Sequence, residues 1–141
     1  MEAIEVTKIF KFEAAHRLPK YEGACSNLHG HSYKLEVTVR STEKYLFELF
    51  KGEEDTSNLT ANEYMVLDFK DLSKIVKEKI IENVDHRFLN ELFAFPTAEN
   101  MVYTFAHAIK KELPQGVTLT RVRLWETDTS YADYIEVVDN V

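Results

Sequence analysis

The chain has 141 residues, of which 45% are hydrophobic and 29% charged, and its formal net charge is -7. This length and composition predict one soluble domain with a substantial core. The acidic balance argues against a general nucleic-acid binder, and no apolar run reaches the ~20 residues of a membrane span. We therefore expect neither nucleic acid nor a membrane as a partner. An anionic ligand would have to meet a local basic pocket or a metal ion.

Two further features of the sequence predict a cytoplasmic protein. The opening residues, M-E-A-I-E-V, have neither a basic leader nor an apolar signal core, and the chain has one cysteine, Cys25, which cannot form an internal disulfide. Both features are typical of a reducing, intracellular setting. No internal repeat, low-complexity tract or linker divides the sequence, so we expect a single domain over residues 1–141.

The first forty residues predict two strands joined by a loop. Residues 2–14 alternate, with apolar side chains at the even-numbered positions apart from Lys8, and His16 continues that face. Turn-forming residues fill 17–28. Residues 31–40 alternate again and place a histidine, the first residue of the strand, on the apolar face.

The middle of the chain predicts a long loop followed by two helices. Residues 41–63 contain an exposed acidic run and are interpreted as an insertion loop, although 45–50 could form a helical turn. A helix over 68–83 begins with an aspartate cap and has apolar residues at a 3.6-residue period. After a connection over 84–96, a second helix occupies 97–112 with a threonine cap.

Two more strands complete the predicted fold. They cover Val117–Thr127 and residues 131–138, with a tight turn between them. The order of elements is therefore ββααββ. This order predicts an α+β fold with an antiparallel four-stranded sheet and two helices on one of its faces.

Three histidines are placed to converge on one point. Side chains return to the same face of a strand every second residue, a step of ~7 Å, so His29 and His31 share a face if the strand extends that far back. His16, at the end of the neighbouring strand, can supply a third imidazole. Three imidazoles with a fourth position left open describe a catalytic zinc site. The alternative, a hydrogen-bonded core histidine, stays open at each position, and His107 on a polar helix face is interpreted as a surface histidine.

Cys25 and the pair Asp85-His86 are candidates for proton transfer. A thiol near a metal ion and a histidine can act as a base or nucleophile, although an inert, partly buried thiol is the alternative. A carboxylate beside a histidine can hold the tautomer of the ring. Alternatively, His86 is a helix-end histidine that the helix dipole stabilises.

Glu126 is an acidic residue on the apolar face of a strand, which is costly unless the carboxylate is paired. A ligand with a guanidine-like edge would pair with it, and a salt bridge with Arg121 or Arg123 is the alternative. Thr97 and Glu99 stand at the start of the second helix. They form a cap there, although a helix N-terminus can also receive a polar ligand.

The motifs, taken together and in order, resemble the 6-pyruvoyl-tetrahydropterin synthase family. They are His16, then C-S-N-L-H-G-H at 25–31, then Asp85-His86, then P-T-A-E-N at 96–100, and then W-E-T at 125–127. The resemblance implies the tunnelling fold, the substrate 7,8-dihydroneopterin triphosphate, and trimers that stack as hexamers with active sites at subunit interfaces. The insertion loop at 41–63 is longer than the connection expected in the family.

The resemblance also implies roles for individual residues. The zinc ligands would be His16, His29 and His31. Cys25 would be the general base, with Asp85 and His86 contributed by a neighbouring subunit. Glu126, with Thr97 and Glu99, would bind the pterin. The basic residues that could meet the triphosphate are Arg17, Lys20 and Arg87.

The spacing of Cys25 and His29 bears on the product. Three residues separate them, as in the branch of the family that makes 6-carboxy-5,6,7,8-tetrahydropterin for queuosine and related 7-deazapurines. The biopterin branch has a longer gap, and a folate-linked branch carries Glu in the cysteine region. We therefore expect a zinc lyase that releases acetaldehyde and triphosphate. One alternative is 6-pyruvoyl-tetrahydropterin formation, which eliminates triphosphate and keeps the side-chain carbons. The other is a non-catalytic zinc- or pterin-binding module.

Overall fold

The computed structural model describes residues 2–41 and 47–137. Across these residues one sheet has five strands in the spatial order β3-β1-β2-β4-β5. The strands are β1 (Glu5–His16), β2 (His29–Ser41), β3 (Arg87–Phe88), β4 (Val117–Thr127) and β5 (Ser130–Ile135). Among the described residues, no helix is long and apolar enough to cross a membrane.

Two main helices accompany the sheet. Helix α1 is a continuous stretch of three segments, and helix α2 comes just before the last two strands. The segments of α1 are Phe69–Val76 (α-helical), Lys77–Ile81 (π-helical) and Glu82–Val84 (α-helical), and α2 is Ala98–Lys110. Short 3₁₀ helices lie at Ala24–Ser26, Ala61–Tyr64 and Leu89–Glu91.

The α+β fold is confirmed, and the sheet has one strand more than the sequence predicted. β1–β2, β2–β4 and β4–β5 are antiparallel, but β3 pairs with β1 in parallel at Ala14 and Ala15. β3 comes from the connection expected over 84–96. Its two residues are too few to show an alternating pattern, and the backbone N–H of His86 fixes it by donating to the oxygen of Glu13 at 2.6 Å.

The core lies between the helices and one face of the sheet. The even-numbered residues of β1 are buried from Phe10 to His16, as the alternation predicts. The ring of Phe12 stacks on Tyr33 of β2, with centroids 4.8 Å apart, and meets Phe105 of α2 edge-on at 6.3 Å. This packing extends to the end of the sheet at which the histidines stand.

The predicted helices are confirmed in place and in their caps. The side chain of Asp68 accepts from the backbone of Lys70 at 2.7 Å, and Thr97 accepts from the backbone of Asn100 at 3.1 Å. The expected insertion at 41–63 begins with the last residue of β2 and ends in the 3₁₀ helix Ala61–Tyr64. Its described residues 47–60 between these contain turns and bends without a regular strand or helix. Residues 42–46 and 138–141 lie outside the described residues, and with them parts of the predicted helical turn and last strand.

Candidate metal centre and active site

Pairing of the first two strands brings the three predicted histidines together. His16 is the direct cross-strand partner of His29, and His31 follows two residues later on the same face. One ring nitrogen from each histidine can be chosen so that all three lie within 4.8 Å of one another. His16 is 1% exposed, and the other two are half-buried. The cluster therefore lies at the edge of the core with one side reachable from solvent.

Backbone carbonyls set the tautomers of His16 and His29. The Nδ1–H of His16 donates to the oxygen of Pro96 at 2.8 Å, and the Nδ1–H of His29 donates to the oxygen of Asn27 at 2.7 Å. A carbonyl oxygen can only accept, so in a neutral ring each Nε2 presents a lone pair. These two Nε2 atoms lie 3.1 Å apart. Two lone pairs at that distance repel each other unless a cation lies between or beside them. The arrangement of these two imidazoles therefore suits the binding of a metal ion.

The Nε2 atom of His31 completes the donor set. This atom is buried and, within the described residues, has no hydrogen-bond partner. Burial lowers the pKa of His31, the Glu126 carboxylate opposes that shift, and the other two histidines add to it. A neutral ring is the form that binds metal. Three imidazoles with a fourth position left open are the donor set of a catalytic zinc site, the kind of site that the sequence predicts.

Tyr33 supports the cluster from the core side. Its side chain is 1% exposed, and its hydroxyl lies 3.4 Å from Nδ1 of His16. Burial and, to a smaller extent, the Glu126 carboxylate raise the pKa of Tyr33 well above its usual range. The hydroxyl therefore remains protonated beside the ring of His16, whose orientation is fixed by the carbonyl of Pro96.

Glu126 faces the histidines, and neither arginine considered in the sequence is its partner. Its Oε1 lies 3.6 Å from Nε2 of His31. Arg123 instead makes two hydrogen bonds to Asp133, at 2.8 and 2.9 Å, and Arg121 makes no ion pair among the described residues. The basic group that faces this carboxylate is therefore a candidate metal ligand, and the two are not hydrogen-bonded.

Glu126 also borders a cleft of about 460 Å³, the acidic cleft. The cleft is lined by Ala98, Glu99, Glu126, Tyr131, Asp133 and their neighbours Ser130 and Ala132. Two of the three predicted pterin-binding residues, Glu99 and Glu126, thus meet in one place. The third, Thr97, does not line the cleft, and its hydroxyl is engaged in capping α2.

Asp85 and His86 do touch each other, which sequence adjacency alone did not guarantee. Oδ1 of Asp85 lies 3.0 Å from Nδ1 of His86 and accepts from the backbone of Glu13 at 3.0 Å. That backbone hydrogen bond is the main cause that lowers the pKa of Asp85, and contact with His86 adds to it. His86 has a φ of 59°, an uncommon conformation for a residue other than glycine. Its pairing with β1 holds that conformation.

The side chain of His86 faces solvent, and His86 and His31 are both among the residues that line one open cleft. The side chain of His86 is 78% exposed, and the cleft, of about 510 Å³, is also lined by Gly30 and Phe88. In the part of the chain that the structure describes, no hydrogen bond or ion pair joins the pair to the cluster.

Cys25 is a free, partly buried thiol in the loop between β1 and β2. It lies within the 3₁₀ turn Ala24–Ser26, and its carbonyl accepts from the backbone of Leu18 at 2.8 Å. This hydrogen bond closes the loop that leads into β2. The cysteine is not one of the residues whose atoms form the histidine cluster.

Comparison with known proteins decides the family. A family profile described as 6-pyruvoyl tetrahydropterin synthase matches residues 5–136. The chain belongs to the 6-pyruvoyl tetrahydropterin synthase family. The fold agrees, because the solved structure of the Caenorhabditis elegans 6-pyruvoyl tetrahydropterin synthase matches with a TM-score of 0.70 and 26% identity, covering 97% of this chain and 98% of that one.

Relatives of this chain within the family are named as different enzymes. A protein of Haemophilus influenzae named 6-carboxy-5,6,7,8-tetrahydropterin synthase is 31% identical over 94% of this chain and 99% of its own length. A protein of Pyrococcus furiosus named dihydroneopterin monophosphate aldolase is 36% identical over 82% of each chain. The family resemblance read from the motifs is thus confirmed, and the chain is a member of a family of pterin enzymes.

Sequence reasoning missed the groups that orient the histidines. Tyr33 stands two residues after His31 on the same strand face, so its position was predictable, but its contact with His16 was not. The carbonyls of Asn27 and Pro96 carry no signal in the sequence, because every residue has one. Only the folded backbone shows which carbonyl reaches which ring.

Proposed function

We propose that this protein is a zinc-dependent lyase that converts 7,8-dihydroneopterin triphosphate and water to 6-carboxy-5,6,7,8-tetrahydropterin, acetaldehyde and triphosphate. The observation that carries the proposal is the convergence of three imidazoles, two with facing Nε2 lone pairs, in a member of a pterin-enzyme family. The three-residue spacing between Cys25 and His29 supports the carboxy product. The product would enter queuosine and related 7-deazapurine synthesis in the cytoplasm.

The metal would be held by His16, His29 and His31 through their Nε2 atoms. When bound there, zinc would act as a Lewis acid toward the side-chain oxygens of the substrate and make the neighbouring C–H bonds more acidic. The carbonyls of Pro96 and Asn27 keep two of the rings in the tautomer that this ligation needs.

The acidic cleft would bind the pterin ring. The carboxylate of Glu126 can accept two parallel hydrogen bonds from the amino-pyrimidinone edge, a strong and directional arrangement. Glu99 lines the same cleft and could contact the ring from the start of α2. Thr97, with its hydroxyl in the cap, would contribute by fixing that helix start.

Proton transfer would use Cys25 with Asp85 and His86 of a neighbouring subunit. Asp85 accepts from Nδ1–H of His86, which leaves Nε2 of that ring able to accept a proton from a thiol. The outward direction of His86 supports its use across a subunit interface, in the trimer-based hexamer that the family resemblance implies. The exposed residues Arg17 and Arg87, with Lys20, are candidates to meet the triphosphate.

Product analysis tests this proposal. Zinc-loaded protein is mixed with 7,8-dihydroneopterin triphosphate, the pterin is followed by mass spectrometry, and aldehydes are trapped. We expect carboxy-tetrahydropterin and acetaldehyde in equal amounts. Pyruvoyl-tetrahydropterin without acetaldehyde would support the alternative synthase instead. Dihydroneopterin monophosphate is run in parallel, because one relative is named as an aldolase of that compound.

Matched variants separate an enzyme from a binding module. We expect Cys25→Ala to abolish turnover while the zinc content stays at the wild-type level. His107→Ala, which changes an exposed histidine on α2, serves as the control and should leave both turnover and zinc unchanged. If folded wild-type protein binds zinc and pterin but forms no product, the binding-module alternative is favoured.

A further inference from the structure

Glu126 lies at the boundary between the acidic cleft and the histidine cluster. Its side chain is 28% exposed, and the side chain of His31 is 16% exposed. Oε1 of Glu126 is 3.6 Å from Nε2 of His31, the nitrogen that lacks a hydrogen-bond partner among the described residues. The carboxylate therefore faces the donor atom of this ring.

The negative charge of Glu126 lies close enough to the histidine cluster to act on a cation bound there. Its carboxylate lies 3.6 Å from a proposed ligand atom, in a pocket where the side chains of Glu126 and His31 are both largely shielded from solvent. A charge in such a partly desolvated pocket is screened less than a charge in bulk water. A divalent cation held by these histidines would therefore be attracted by this carboxylate.

The 3.6 Å distance also fits a carboxylate that lies beside a metal ligand. Zinc binds nitrogen and carboxylate oxygen at about 2.0–2.2 Å, so neighbouring ligands of a tetrahedral zinc lie about 3.4 Å apart. The distance from Oε1 of Glu126 to Nε2 of His31 is only slightly longer. Glu126 is not one of the three clustered ligands, so its carboxylate lies beside one ligand of the set rather than within it.

We propose that Glu126 is a positioning residue of the metal centre in addition to its role as pterin anchor. Its carboxylate stabilises the bound metal through its negative charge beside His31. One side chain thereby connects the pterin-binding cleft with the metal ligands. This inference rests on the metal site of the proposed function.

Zinc affinity, measured without substrate, tests this role. Metal-free wild-type protein, Glu126→Gln, Glu126→Asp and Glu99→Gln are titrated with Zn²⁺ in competition with a chromophoric chelator. Glu99→Gln is the matched control, because it neutralises a carboxylate of the same cleft, and among the described residues it is Glu126, not Glu99, that lies within 4 Å of a clustered histidine. We expect Glu126→Gln to weaken zinc binding about 10-fold, the usual scale for losing a group beside a metal ligand. Glu99→Gln should change the affinity by less than about twofold, as expected of an exposed charge.

The outcomes separate this inference from the proposed function. Equal zinc affinities for wild type, Glu126→Gln and Glu126→Asp would overturn the role of Glu126 and leave the three-histidine site intact. Equal losses for Glu126→Gln and Glu99→Gln would overturn it as well, since net charge alone would then explain the effect. A wild-type protein that binds no zinc would instead overturn the metal site itself. If Glu126→Gln fails to fold, Glu126→Asp decides, with an intermediate affinity expected.

Discussion

At the scale of single residues, two backbone carbonyls decide how the site works. Those of Asn27 and Pro96 take the Nδ1 protons of His29 and His16, and both Nε2 lone pairs then point at one space. Repulsion between them, at 3.1 Å, is relieved when a cation enters. We therefore expect metal binding to relieve a repulsion that the fold builds into the metal-free site.

Removing one of the three imidazoles tests the ligand set. We expect His29→Ala to weaken zinc binding more than about 100-fold, because a ligand bound directly to the metal contributes more than a neighbouring group does. His107→Ala should bind one zinc per chain with wild-type affinity. Metal content after equilibrium dialysis gives the measurement. Undiminished affinity in His29→Ala would show that the metal lies elsewhere.

The hydrogen bond from the Glu13 backbone to Asp85 predicts a pH dependence of stability. Because folding lowers the pKa of Asp85 from 3.8, its contribution is complete above that pH and is lost as the pH falls through the lower folded value. We expect Asp85→Ala to unfold at lower urea than wild type at pH 7, with a difference that narrows below pH 3.8. Unfolding of metal-free proteins at several pH values measures this. A difference that stays constant with pH would contradict it.

At the scale of elements, the N-terminus of α2 links the helix layer to the metal centre. Pro96 accepts from His16, the next residue caps the helix, and Glu99 lines the acidic cleft. The sequence predicted this helix and its cap because both follow local rules of periodicity and hydrogen bonding. It did not predict β3 or the π-helical segment Lys77–Ile81, because a two-residue strand and a single widened turn leave no pattern of their own.

The cap also yields a prediction about Thr97. We expect Thr97→Ala to lower the free energy of unfolding by about 1 kcal/mol, the usual cost of losing a threonine cap. Thr97→Ser keeps the hydroxyl and should remain close to wild type. Chemical denaturation of the metal-free proteins measures both. If Thr97→Ala keeps full stability and loses pterin affinity instead, the hydroxyl acts on the ligand rather than on the helix.

At the scale of the whole molecule, the helices cover one face of the sheet and leave the other to polar and aromatic side chains. On that face the ammonium of Lys34 lies 4.4 Å from the ring centroid of Trp125, and the guanidinium of Arg123 lies 3.9 Å from that of Tyr131. The sheet is open, and natural proteins commonly cover or pair such edges. An assembly of several copies would do so, and in the assembly that we propose the thiol of one chain lies near the Asp85-His86 pair of another. Neither the partner nor the register of such an assembly could be predicted from sequence patterns within one chain.

Mixing two inactive variants tests whether the active site is shared between subunits. Cys25→Ala and His86→Ala should each be inactive alone, since each lacks one member of the proton relay. If every site draws the thiol from one subunit and the imidazole from its neighbour, random co-assembly in equal amounts leaves both intact at about a quarter of the sites. We therefore expect activity to return when the two variants are co-expressed or refolded together. In the mixture every chain lacks either the thiol or the imidazole. Co-assembled oligomers that stay inactive would therefore show that the thiol and the imidazole must come from the same chain.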